Sequence, residues 1–100
     1  MIDRARQIHL MLGAIKDYQD GLMSLQTLIW KLEGLLNVIE DRDLSGELDD
    51  NMCLLEEINA YTYADKDYDF ESEGKPLVDR TVDEIVARVE PYLSRYAKPE

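Results

Sequence analysis

Residues 24–39, SLQTLIWKLEGLLNVI, carry the clearest structural signal in the chain. Seven apolar side chains recur there at spacings of one, three and four: Leu25, Leu28, Ile29, Leu32, Leu35, Leu36 and Ile39. At about 100° per residue they fall within an arc of roughly 120°, which is typical of an amphipathic helix. Ser24 stands where this helix needs an N-cap, because its hydroxyl can accept an amide hydrogen bond. The pattern predicts a helix that buries one face and ends near Asp41.

Three further segments repeat this periodicity. The first spans about residues 2–19 and presents Ile2, Ala5, Ile8, Leu12 and Ile15 on one face. The second spans about residues 47–63 and presents Leu48, Met52, Leu55 and Ile58. The third opens at a capping box, Thr81-Val-Asp-Glu84, and presents Val82, Ile85, Val86, Val89, Tyr92, Leu93 and Tyr96. Four such segments predict an all-α antiparallel bundle, with residues 1–100 as one domain.

The predicted connections are short except for one acidic loop. Asp20-Gly21 is expected to stop the first helix, and Asp43-Leu-Ser-Gly46 is expected to form the turn before the third. Residues 65–80 are predicted to be a loop; their alternating acids also fit a short strand, but a lone strand is unstable. Pro91 falls on the outer face of the last helix, where we expect a kink or a restart.

Cysteine count and hydropathy bear on location. Cys53 is the single cysteine, so an internal disulfide is excluded and secretion has no support. Charges interrupt the first six residues, so we expect no signal peptide. No run approaches about 18 continuous apolar residues, so no membrane-spanning helix is predicted. The cytoplasm is the expected location.

The net charge of −11 is concentrated in one third of the chain. Residues 40–73 hold 13 acidic and 2 basic side chains, whereas the remainder holds nine of each. A field of one sign repels nucleic acid and anionic membranes, and it attracts cationic partners. Solubility is the competing explanation, although it does not require clustering. The clustering predicts a surface for a basic protein partner, with no binding of nucleic acid or membrane.

Aromatic side chains interleave with the acids of this segment. Carboxylates pair with Lys or Arg of a partner, and aromatic faces stack on guanidinium groups. The predicted partner-binding residues are Asp43, Glu47, Asp50, Glu57, Tyr61, Asp65, Asp67, Tyr68, Asp69, Phe70 and Glu71. In the alternative interpretation, Tyr61 and Tyr63 close the core and the loop is merely solvated.

The single tryptophan, Trp30, has two interpretations. It falls about 160° from the centre of the leucine stripe, near Gly34. In the first, the C-terminal segment covers the ring and Gly34 leaves room for that approach. In the second, the ring is an exposed interface anchor, since tryptophan is enriched in binding hot spots. The sequence is compatible with both interpretations.

The chain offers little for catalysis, and we predict no enzyme, cofactor or metal. His9 lies off the apolar face and has no motif partner, so an ordinary surface position is expected. Acidic neighbours should raise the pKa of Cys53, which is the opposite of what a nucleophile needs. Carboxylate pairs arise by chance in so acidic a chain, and a Gly-rich phosphate loop is missing from the sequence.

A calcium loop is the main alternative to a protein-binding surface. Residues 41–52 match an EF-hand at Asp41, Asp43, Ser45 and Gly46, with Asp49 nearby. Met52, however, stands where a bidentate Glu should complete the coordination sphere. Residues 65–76 depart further, because Phe70 replaces the required glycine and Pro76 occupies the last position. A calcium-binding or adaptor helical module therefore remains the alternative function.

Two stretches resemble a known class of proteins. They are residues 17–41, DYQDGLMSLQTLIWKLEGLLNVIED, and residues 54–61, LLEEINAY. They resemble small acidic all-helical immunity proteins of bacterial contact-dependent growth inhibition and related polymorphic toxin systems. The resemblance covers about residues 15–65 and implies a protein that binds and blocks a toxin domain, often a ribonuclease. It identifies no binding residues, because immunity interfaces diverge with their toxins.

Overall fold

The computed structural model describes residues 3–97 as an all-α bundle, which confirms the predicted fold class. The α-helices are α1 (Arg4–Gln19), α2 (Leu25–Ile39), α3 (Arg42–Ala64) and α4 (Lys75–Ala97). A π-helical turn, Phe70–Gly74, runs directly into α4. No helix in the described part of the chain has the length and apolarity needed to cross a bilayer.

The helices pack in a closed ring. α1 contacts α2 and α4, and α3 contacts the same two helices, so α1 and α3 lie diagonally opposite each other. The core contains the predicted α2 residues Leu25, Leu28, Ile29, Leu32 and Ile39, with Leu35 and Leu36 partly buried beside them. α1 contributes Ile8, Met11, Ala14 and Ile15; Ile2, predicted for this face, lies outside the described residues.

Local capping explains where the first helices begin and end. Asp3 caps α1, since its carboxylate accepts from the Arg6 amide at 3.0 Å. Ser24 caps α2 as predicted, with its hydroxyl oxygen 3.2 Å from the Thr27 amide. α1 ends at Gln19, and Gly21 has a φ of 78°, a left-handed conformation that glycine adopts without strain.

The predicted turn at residues 43–46 is wrong, because α3 already begins at Arg42. Asp41 is its N-cap and accepts hydrogen bonds from the amides of Asp43 (2.9 Å) and Leu44 (3.1 Å). Leu44 is fully buried and extends the apolar face by one turn, which outweighs the helix penalty of about 1 kcal/mol for Gly46. The open loop required by the calcium alternative is therefore not formed.

The predicted loop over residues 65–80 is wrong in its second half. α4 starts at Lys75, directly after the π-helical turn, and Pro76 lies in its first turn. The predicted capping box is also wrong: Thr81 is buried inside α4, and its hydroxyl donates to the Leu77 carbonyl at 2.7 Å. Val78 is fully buried, so core packing extends the helix toward its N-terminus. Pro91 is exposed as predicted, but α4 continues through it without a restart.

Candidate acidic binding surface

Five of the predicted binding residues lie along one side of α3. Their spacings of three, four and seven place them within an arc of roughly 80°, at about 100° per residue. Leu54 is 36% exposed and completes the row, a position that its spacing from Asp50 and Glu57 already indicated. We define the α3 stripe as Asp43, Glu47, Asp50, Leu54, Glu57 and Tyr61, all of which are exposed.

The N-terminal end of the α3 stripe lies beside cations of the same chain. Asp43 and Glu47 line a groove with Arg88 and Arg95 of α4. The Arg88 guanidinium donates to the Glu47 carbonyl at 2.7 Å. A hydrogen bond to the Glu47 carboxylate, together with burial, raises the pKa of Tyr92 to about 12. The Glu47 carboxylate is therefore partly engaged within the fold, and Asp43 shares its groove with two arginines.

The C-terminal end of the α3 stripe is joined to the acidic segment by an aromatic pair. The rings of Tyr61 and Tyr68 stack with their centroids 5.8 Å apart and an interplanar angle of 26°. Tyr61 is 54% exposed and Tyr63 is 71% exposed, so the interpretation that these two rings close the core is wrong. The stack makes one continuous surface from the α3 stripe and residues 65–71, which we call the acidic surface.

The acids of residues 65–71 divide into two roles. Asp65 accepts from the Asp67 amide at 2.9 Å, and Asp69 accepts from the Glu71 amide at 3.1 Å. The Asp69 amide in turn donates to the Glu73 carboxylate at 3.1 Å. Asp65 and Asp69 thus fix the backbone of the segment. Asp67 and Glu71 are exposed and stand between these capping groups.

Tyr68 and Phe70 hold the acidic segment against the bundle. Both are partly buried and pack on the hydrophobic core. A Cβ atom at Gly74 would lie 2.7 Å from the Tyr68 hydroxyl and 2.9 Å from a Phe70 ring carbon. The absent side chain therefore lets the two rings close over the π-helical turn. Of the predicted contact residues, these two are the least available to a partner.

A second group of acids on the other side of α3 was missed by the sequence reasoning. Glu33 of α2 joins Asp49 and Glu56 around a groove of about 270 Å³. A hydrogen bond with Glu56, followed by burial, raises the pKa of Glu33. Asp49, then burial and Glu56, raise the pKa of Cys53, in the predicted direction. Glu33 could be placed here only once the α2–α3 packing was known.

The carboxylates of the acidic surface are not matched by cations in tight pairs. Between residues 3 and 96, the one salt bridge within 4 Å joins Lys16 and Asp20 of α1, at 3.4 Å. Carboxylates accept hydrogen bonds from Lys and Arg, and tyrosine rings stack on guanidinium groups. The acidic surface therefore has the chemistry to recognise a basic protein. No protein family, no curated protein and no solved structure matches the chain.

Proposed function

We propose that this chain is a cytoplasmic immunity protein that binds and blocks a basic toxin domain, a nuclease, through its acidic surface. The observation that carries the proposal is that the excess negative charge and two exposed apolar or aromatic side chains lie together on α3 and the segment that follows it. The segment that holds the entire net charge of −11 includes α3 and the residues that follow it. Leu54 and Tyr61 are exposed among those carboxylates. The resemblance of residues 15–65 to acidic helical immunity proteins supports the same function.

Electrostatics explains why such a surface would suit a nuclease. A nuclease binds phosphates, so its active site is basic, and carboxylates can occupy the positions that phosphates would take. Complementary charge raises association rates from about 10⁵–10⁶ to as much as about 10⁸–10⁹ M⁻¹s⁻¹ at low salt. Rapid capture would protect a cell that synthesises or receives the toxin. Because salt screens the attraction between the two charged surfaces, the association rate should fall steeply as the salt concentration rises.

The centre of the proposed interface is the C-terminal half of the α3 stripe. Asp50 and Glu57 flank Leu54 there, whereas Asp43 and Glu47 face the arginines of α4. Interface hot spots are apolar or aromatic anchors ringed by polar groups. Leu54 and Tyr61 are the anchors in this arrangement, and the surrounding carboxylates select a basic partner.

The test uses two matched charge reversals. Asp50→Lys with Glu57→Lys changes two exposed acids seven residues apart on α3; Asp83→Lys with Glu90→Lys does the same on α4. Both change the net charge equally, so both weaken long-range attraction to the same extent. Only the α3 pair removes contacts in the proposed interface. We expect that pair to reduce affinity at least about 100-fold and the α4 pair only a few-fold.

The readout is protection of growing cells from any toxin domain that is encoded beside the gene, together with the dissociation constant of the purified pair. Loss of protection with the α3 variant alone would support the proposal. Equal losses with both variants would mean that total charge, not the acidic surface, drives binding. A neighbouring toxin domain that does not bind the unaltered chain would exclude the immunity function.

A further inference from the structure

A second surface lies between α1 and α2. Leu10, Trp30 and Val38 are 47%, 64% and 42% exposed, and all three line one groove of about 500 Å³. The interpretation that the C-terminal segment covers Trp30 is therefore wrong. Exposure of three large apolar side chains in one groove is unusual for a surface that faces only water.

The groove combines a projecting ring with a hollow. Trp30 is the projection, and Gly13 and Gly34 line the same groove. Apart from the glycine's own helix backbone and chain neighbours, no heavy atom of the described residues lies within 4 Å of the position that a Cβ would occupy at either glycine. Each mid-helix glycine costs about 1 kcal/mol relative to alanine. A two-fold interface requires one patch to supply both projections and hollows, as this groove does.

Charge indicates which protein can approach this groove. Residues 3–39 hold four acidic and four basic side chains, so this half of the bundle is neutral. Residues 40–97 hold 17 acidic and 6 basic side chains. Two copies of the chain repel each other over most of their surfaces, but not across the α1–α2 face. A basic partner, in contrast, is attracted to the opposite half of the molecule.

The charged residues of the groove in one copy are also complementary to the same residues in a second copy. Asp17 and Lys31 line the same end of it, one on each helix. A two-fold axis parallel to the groove lays α1 of one copy on α2 of the other. Asp17 of each copy then faces Lys31 of the second copy, which forms two equivalent ion pairs.

We propose that the α1–α2 groove is a homodimer interface, in which each Trp30 packs into the groove of a second copy. The proposal does not depend on the immunity function. The groove spans about eight residues of each helix, or roughly 12 Å at 1.5 Å per residue. Packed helices lie about 8–10 Å apart, so the patch covers on the order of a few hundred Å². Because this is less than the roughly 800 Å² per partner of a standard interface, the dimer is expected to form only at micromolar concentrations or above, on the order of 10⁻⁶ M.

Trp30 is the only tryptophan in the chain, so its fluorescence reports on the interface directly. Sedimentation equilibrium and tryptophan emission should be followed from about 1 µM to about 1 mM protein. We expect a rise toward dimer mass, accompanied by a blue shift and weaker acrylamide quenching. A monomer with unchanged emission at about 1 mM would overturn the proposal. A monomer whose emission shifts only when a basic toxin domain is added would assign the groove to that partner instead.

Three substitutions test the geometry. Trp30→Ala should weaken dimerisation at least about tenfold, whereas Leu22→Ala, which removes a 75% exposed side chain outside the groove, should not. Gly34→Ala should weaken the dimer while raising thermal stability of the monomer, because it fills the hollow and favours the helix. A purely local role for Gly34 would change stability alone, and dimerisation unaffected by Trp30→Ala or Gly34→Ala would overturn the proposal.

A charge exchange tests the two-fold arrangement. Asp17→Lys and Lys31→Asp should each weaken the dimer, because each places like charges opposite one another. The combined variant should restore the dimerisation constant of the unaltered chain to within a few-fold. If the combined variant did not recover dimerisation, the pairing of Asp17 with Lys31 and the two-fold axis that brings them together would be overturned.

Discussion

At the residue scale, two adjacent residues organise the junction of three helices. Glu40 has a φ of 54°, and its amide donates to the Leu36 carbonyl at 3.2 Å to end α2. Asp41 begins α3 at once and also accepts a hydrogen bond from the hydroxyl of Tyr96 on α4. That hydroxyl lowers the pKa of Asp41, although burial opposes the change. The reversal between α2 and α3 thus depends on one left-handed residue and one carboxylate.

Glu40→Gly should stabilise the protein by about 1 kcal/mol. A left-handed conformation costs a non-glycine residue about 1–2 kcal/mol, and glycine is the usual residue at this helix position. Urea unfolding measures the change. Glu40→Ala is the control, since it removes the same charge but keeps the strained backbone. Equal stabilisation by both variants would attribute the gain to charge.

Asp41→Ala should lower the free energy of unfolding by about 1–2 kcal/mol at pH 7, because it removes the N-cap of α3. The pKa of Asp41 is lower in the folded state than in the unfolded chain. Its contribution is therefore present above the unfolded pKa of about 4 and lost as pH falls through the folded value. Urea unfolding at pH 7 and near pH 3 should show the two proteins converging at low pH. Asp41→Asn, which retains a capping oxygen without the charge, should lie between them.

At the scale of elements, the sequence predicts the start of α2 at its Ser24 cap and its end to within about two residues, whereas it predicts starts for α3 and α4 that are one to two turns late. Local signals at Gly46 and Thr81 suggested a turn and a cap. Burial of Leu44 and Val78 outweighs these local signals and extends both helices, because each residue adds a fully buried side chain to an existing apolar face. The π-helical turn was not predictable, since it depends on how Tyr68 and Phe70 pack around Gly74.

Gly74→Ala should destabilise the protein by about 1–3 kcal/mol, because the added methyl group overlaps the Tyr68 hydroxyl and the Phe70 ring. Gly46→Ala in α3 is the matched control, because its added methyl group would meet no heavy atom of the described residues within 4 Å beyond its own helix backbone and chain neighbours. It should raise stability by up to about 1 kcal/mol through helix propensity. Thermal unfolding of both variants gives the comparison. Destabilisation by both would contradict the packing role assigned to Gly74.

At the scale of the whole molecule, the ring of helices separates a neutral half from an acidic half. α3, which carries the α3 stripe, lies diagonally opposite α1. The proposed dimer groove is formed by α1 and α2, so it and the α3 stripe lie on different faces. One copy can therefore use both surfaces at once.

Alkaline pH should unfold the bundle in a defined range. Tyr18, Tyr92 and Tyr96 each have a pKa raised to about 12. Burial is the leading cause for Tyr18 and Tyr96, whereas a hydrogen bond with Glu47 is the leading cause for Tyr92. Raised folded values mean that the neutral phenols stabilise the fold below the unfolded pKa of about 10. That stability is lost as pH rises from about 10 to about 12. Circular dichroism recorded with phenolate absorbance should show helix loss coupled to this ionisation.

The control for the alkaline transition is Tyr63→Phe, which removes a 71% exposed tyrosine. It should leave the midpoint unchanged, whereas Tyr96→Phe should shift it upward. A transition complete below pH 10 would show that other groups control alkaline unfolding.

Several features could be predicted from the order of residues alone: the apolar face of α2, most of the apolar faces of α3 and α4, the cap at Ser24, the stop at Asp20-Gly21 and the confinement of the net charge to residues 40–73. These are properties of neighbouring residues and of helical periodicity. Three features emerge only when the chain is folded: α3 begins at Arg42, Tyr61 stacks on Tyr68, and Trp30 is exposed beside α1. Each of these depends on how the helices and the residues 65–71 pack in three dimensions, where packing outweighs local preference.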